Sequence, residues 1–117
     1  MSIRTERVAG VIKEQISQTL IRDIDTSGFG LITVTDVIMT PDLRLAKVYI
    51  SHYRSDKSND AVISFLEENK KTLRFAVGKS VRLKFTPELR FYIDETLDKM
   101  ERMEHLFNQI HKEMDSR

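Results

Sequence analysis

Near the start of the chain, Val8, Val11, Ile12, Ile16, Thr19 and Leu20 recur at three- and four-residue spacing and form one stripe. Arg7, Lys13, Glu14, Gln18 and Arg22 fall off it. This period predicts an amphipathic helix, capped by Ser2 and ending near Asp23 to Asp25, before the turn signal Ser27-Gly28-Phe29-Gly30. The pattern then changes to that of strands. Leu31 to Met39 is rich in Ile, Val and Thr, and Thr40-Pro41-Asp42-Leu43 makes a turn with Pro41 at its second position. From Leu45 to Tyr53, Ala46, Val48 and Ile50 alternate against Lys47, Tyr49 and Ser51. Two strands this close predict an antiparallel hairpin.

After a polar loop, Ser58 or Asn59 can cap a second helical stripe of Val62, Phe65, Leu66, Leu73, Ala76 and Val77. A seamless helix would turn Asn69 inward, between Leu66 and Leu73. That points to a kink, with two helices meeting at Asn69-Lys70-Lys71; the alternative is one unbroken helix with an amide at the edge of its stripe. Gly78 fits a left-handed cap at the helix end. Next, Val81, Leu83, Phe85, Leu89, Phe91 and Ile93 alternate with polar residues, predicting a strand that is an edge, or bulged, at Pro87. Arg82, Lys84, Arg90 and Tyr92 would then line the face away from the core. From Thr96, Leu97, Met100, Met103, Phe107, Ile110 and Met114 predict a last helix with a narrow apolar seam. The order predicts an α+β fold with helices on one face of a three-stranded sheet. Residues 1–95 form the domain and residues 96–117 a C-terminal helical extension.

Length changes little in this picture: 117 residues, 40% of them apolar, make one domain. Without cysteine there are no disulfides or thiolate metal sites. No apolar run approaches a membrane span and the N-terminus runs straight into helix, so a soluble, cytoplasmic protein is expected. Candidate catalysts are few. No two of His52, His105 and His111 have the spacing of a helical zinc site, and no phosphate-binding or nucleophile motif occurs among the four glycines. Asp94, Glu95 and Asp98 are better placed to complement the dipole of the last helix than to act as acid and base. The expectation is a non-enzyme with no metal and no cofactor.

Charge changes the picture more. Lys70 to Arg90 holds Lys70, Lys71, Arg74, Lys79, Arg82, Lys84 and Arg90 against Glu88 alone, a net of +6 in a chain that totals +1. Interleaved apolar residues make this a folded basic surface, the electrostatic footprint of a polyanion. Lys70, Lys71 and Arg74 at a helix start suit phosphates, Arg82, Lys84 and Arg90 continue the track, and Tyr92 can stack on a base. The plain alternative is a solvated basic face balanced by the acidic C-terminal region. Arg74 has its own alternative, a carboxylate pairing that braces its helix. A second function class is a protein-interaction module acting through the Met-rich last helix, which otherwise covers the domain's own apolar surface.

The order α-β-β-α-α-β is that of a type II KH domain, although Asn69-Lys70-Lys71-Thr72 has no glycine for the backbone-gripping Gly-x-x-Gly loop. Several segments resemble the ribosome-binding factor A family. They are Arg7-Val8 opening a helix with Ile12 and Ile16, Thr33-Val34-Thr35-Asp36-Val37, and Pro41-Asp42-Leu43 leading to Ala46-Lys47-Val48-Tyr49-Ile50-Ser51. Leu73-Arg74, Arg82-Leu83 and Pro87-Glu88-Leu89-Arg90-Phe91 with Asp94 complete the match, which covers Arg4 to Leu106. The resemblance implies a type II KH-like fold in which an interrupted Ala-x-Gly kink replaces the glycine loop. That triplet falls on Asn69-Lys70-Lys71, which keeps neither the alanine nor the glycine, though Asn tolerates left-handed geometry. It also implies a monomeric assembly factor that binds the free small (30S) ribosomal subunit and 16S rRNA and assists late maturation and 5′-end processing. Assembly GTPases are further candidate partners. The RNA contacts would be Lys70, Lys71, Arg74, Lys79, Arg82, Lys84 and Arg90, with Arg4 and Arg7 joining from the first helix.

Overall fold

The structure, a computed structural model, describes residues 3–95. In chain order these form α1 (Ile3–Arg22), β1 (Leu31–Met39), β2 (Leu45–Tyr53), α2 (Asn59–Glu68), α3 (Lys70–Ser80) and β3 (Glu88–Ile93). This is the α-β-β-α-α-β order of a type II KH-like domain. The Ser2 cap and the predicted Met-rich helix and extension of residues 96–117 lie outside the described residues.

The sheet order is β1-β2-β3, with β1 antiparallel to β2 and β3 parallel to it. A parallel neighbour needs a crossover, and α2 and α3 supply it. Helix α1 packs on β1 and α3, and α2 packs on β3. Between helices and sheet lie Ile12, Ile16, Val48, Ile50, Val62, Leu66, Leu73, Val77 and Leu89, all fully excluded from solvent. Burying each such side chain contributes roughly 1.5–3 kcal/mol, which is what holds the layers together. Val11, counted on the α1 stripe, sits at its edge and is 40% exposed.

The hairpin forms over the predicted residues, with one device the alternation did not reveal. Ile32 and Val34 are buried, but so are Val37 and Met39, of the opposite parity. The register skips between Val34 and Asp36, so Thr35 is the extra residue of a β-bulge. Its hydroxyl donates to Asp94 Oδ2 at 2.6 Å, tying β1 to the end of β3 across the central strand. At the other end of the hairpin, Gly30 has φ +68°, and a Cβ there would run into the Tyr53 carbonyl.

The helix pair breaks where the inward amide pointed, and Ser58 caps it by accepting from the Ala61 N–H at 3.1 Å. Asn69 adopts φ −100° and ψ 8°, in the bridge region, and makes no use of the left-handed geometry that Asn tolerates. Its Nδ2 donates to the Phe65 carbonyl at 2.9 Å, so the inward polar group is satisfied by the helix it ends. Gly78 is not a left-handed cap. Helix α3 runs through it to Ser80, and a Cβ at Gly78 would lie 3.0 Å from Thr86 Oγ1, so glycine there serves the close passage of a loop.

The last strand is shorter than its alternation implied, because Val81 to Pro87 form a loop. Strand β2 begins at Leu45, whose partner is Glu88, and the first tie is Glu88 N–H to the Arg44 carbonyl at 2.7 Å. Upstream of Glu88 there is no strand to pair with, and Pro87 has no N–H to offer. Arg82 and Lys84 therefore stand on a loop, not on the sheet face, and Phe85 is 55% exposed rather than in the core. Arg90 and Tyr92 do lie on the face opposite buried Leu89 and Phe91.

Candidate nucleic-acid interface

The nine basic candidates divide among several neighbourhoods. At the kink, Lys70 Nζ lies 2.7 Å from Glu67 Oε2 and 5.8 Å from the centre of the Phe91 ring, while Lys71 points to solvent. Arg74 faces the loop. Its Nε and an Nη donate to the Pro87 and Thr86 carbonyls at 3.4 and 3.3 Å, and Glu88 lies 3.9 Å away. Arg74 thus braces α3 through two loop carbonyls, and the carboxylate pairing raised for it amounts to the 3.9 Å contact with Glu88. Farther along α3, Lys79 lies 4.4 Å from the ring centre of exposed Phe75, across a cleft shared with Arg22 of α1. Arg90 is the register partner of Lys47, next to the stacked pair Tyr49–Tyr92 with ring centres 5.5 Å apart. Arg7 is exposed on α1 and Arg82 on the loop.

Arg4 and Lys84 meet at the remaining neighbourhood, where the start of α1, the β1–β2 turn and the loop before β3 enclose a groove of about 310 Å³. One cation there, Arg44, escaped a count centred on Lys70 to Arg90. Arg44 extends its guanidinium to 5.2 Å from the Phe85 ring centre, and Lys84 Nζ lies 5.6 Å from it. The available signal was a cation directly after the Pro-Asp-Leu turn. The turn itself is tightly held. Leu43 N–H donates to the Thr40 carbonyl at 2.9 Å, and Leu43 takes φ 61°. Asp42 accepts from the Thr40 hydroxyl at 2.6 Å and from the Arg44 N–H at 3.1 Å. These bonds, the Thr40 hydroxyl foremost, hold the Asp42 carboxyl below its ordinary pKa of 3.8.

Among the described residues, no carboxylate pairs with Lys71, Lys79, Arg82, Lys84 or Arg90. Uncompensated cations on an outer surface are what phosphate contacts require. The described residues hold no group of His, Asp and Glu that could ligate a metal, and His52 is bonded to Asn59 Oδ1 at 2.8 Å. His105 and His111 lie outside the described residues. No described helix is long and apolar enough to cross a membrane.

The sequence profile of the Ribosome-binding factor A family matches residues 4–107. A ribosome-binding factor A of Chlorobium phaeobacteroides is 36% identical over 117 residues, covering 98% of this chain and 100% of the relative. One from Ruegeria is 41% identical over 111 residues, covering 92% and 84%. Among solved structures, the solution structure of a putative ribosome binding factor A from Thermotoga maritima aligns with a TM-score of 0.65 at 26% identity, covering 79% of this chain and 88% of that one. The crystal structure of the Thermus thermophilus factor shares the fold, with a TM-score of 0.65 at 19% identity over 76% of this chain and 94% of its own. Profile, full-length relatives and fold agree: the chain belongs to the ribosome-binding factor A family.

Proposed function

We propose that this protein binds the free small ribosomal subunit through 16S rRNA, assists its late maturation and 5′-end processing, and catalyses no step itself. The observation that carries this reading is the family relation across residues 4–107. A homology model of the Thermus thermophilus factor, with the same fold (TM-score 0.57, 20% identity, covering 72% of this chain and 88% of that one), has been fitted into a map of a 30S complex. The proposed contacts are Lys70, Lys71, Arg74, Lys79, Arg82, Lys84 and Arg90, with Arg4 and Arg7, spread over the Asn69-Lys70-Lys71 kink, the rest of α3, the loop before β3, the outer sheet face and α1. Contacts of this kind position a protein on folded RNA without reading its sequence, and displaced counterions make the binding salt-sensitive. Reversible, salt-sensitive docking suits a factor that must leave a finished particle.

The test is co-sedimentation with purified small subunits at moderate salt. The double variant Lys71→Glu, Arg82→Glu should lose most of its association while keeping its melting temperature, because both side chains are exposed and neither has an ion-pair partner among the described residues. Undiminished association would overturn the reading.

A further inference from the structure

We propose that the groove where α1 begins, the β1–β2 turn closes and the loop before β3 passes takes a single unstacked RNA nucleotide. Its base lies on Phe85, and Arg44, Lys84 and Arg4 hold the adjoining phosphates. The proposal rests on the rRNA-binding function above and sharpens it, since it assigns this end of the domain to unpaired RNA.

Three observations converge. Phe85 is 55% exposed on a loop that no strand stabilises, so its ring is presented to solvent rather than buried. Two cations stand over that ring, Arg44 at 5.2 Å and Lys84 at 5.6 Å from its centre, and Arg4 lines the same groove from α1. Among the described residues the one acid lining the groove is already committed, since Asp42 accepts from the Thr40 hydroxyl and the Arg44 N–H, and the second bond fixes the backbone that carries Arg44. An aromatic face ringed by cations matches the two halves of a nucleotide. Every base has a π-face that stacks on an aromatic ring, and its phosphate travels beside it. A base inside a duplex has no free face, so such a site selects loops, bulges and ends. The kink differs in kind. The ring beside Lys70 belongs to Phe91, which is only 6% exposed, so Lys70 and Lys71 offer charge without a stacking surface.

The experiment measures binding of the full chain, by fluorescence anisotropy at one salt concentration, to a short oligouridylate strand and to an RNA duplex of equal phosphate number. Phe85→Ala and Phe85→Leu should each weaken single-strand binding by about tenfold, the range of one lost stacking contact, with duplex affinity unchanged. Phe85→Tyr should retain wild-type affinity, and Arg44→Ala should weaken both ligands. Unchanged melting temperatures confirm that the variants fold. Full single-strand affinity in Phe85→Ala or Phe85→Leu, with duplex binding still salt-sensitive, overturns the nucleotide pocket alone. A wild-type protein that binds neither RNA overturns this proposal together with the broader rRNA function.

Discussion

Arg74 and Lys71 sit three residues apart on one helix and do different work. The Arg74 guanidinium holds two loop carbonyls, at Thr86 and Pro87, against α3. Removing it unbonds both, and a net hydrogen bond of ordinary quality is worth about 1 kcal/mol. Arg74→Ala should therefore lower unfolding stability by about 1–2 kcal/mol in urea titrations. Lys71→Ala, with no ion-pair partner to lose among the described residues, should leave the midpoint unchanged; equal losses in the two variants would contradict this division of roles. The turn carboxylates make a second prediction. Asp42 is held below 3.8 first by the Thr40 hydroxyl, and Asp25 likewise by the Ser27 hydroxyl and N–H. A folded-state pKa below the unfolded one means that the ionised form favours folding. Their contribution is complete above the ordinary carboxylate range and is lost as pH falls through the lowered values. Asp25→Asn, Asp42→Asn should thus melt with a shallower pH dependence below pH 3.8 than the wild type. Parallel melting profiles through that range would rule the effect out.

At the scale of elements, Gly78 shows how a local rule yields to a tertiary contact. Glycine inside a helix costs roughly 0.5–1 kcal/mol relative to alanine, yet here Thr86 passes where the methyl would go. Gly78→Ala should therefore be more favourable in a Thr86→Ala background than alone, a coupling that denaturant melts of the four proteins would measure. Additive effects would mean that Thr86 simply rotates aside. The same contrast explains what could be read in the chain. The hairpin was legible because Ala46, Val48 and Ile50 alternate without interruption, and the kink because an inward Asn69 contradicts its own stripe. The bulge at Thr35 was not, because Ile, Val and Thr fill both parities of β1 and hide the change of face. Nor was the start of β3, since the alternation from Val81 onward persists through a loop whose ladder partner ends at Leu45. Among the binding candidates, charge density pointed to α3 and its loop. Arg44 was missed because it is remote in sequence and arrives only when the hairpin tip folds against that loop.

For the molecule as a whole, a net +6 between Lys70 and Arg90 leaves −5 on the other 96 residues. That asymmetry orients the protein toward a polyanion before any contact forms, and dissolved salt weakens it. The sheet adds a consequence of another kind. Strand β3 is the last described element to be made, yet it supplies one whole side of the central strand β2. Until Glu88 to Ile93 leave the synthetic machinery, β2 has an unpaired edge, and the core lacks Leu89 and Phe91. The local hairpin and α1 can form early, but closure must wait for the crossover and bear its loop entropy. Completion of the fold is therefore a late event in the life of the nascent chain, and the groove at Phe85, set just before that strand, comes into being with it.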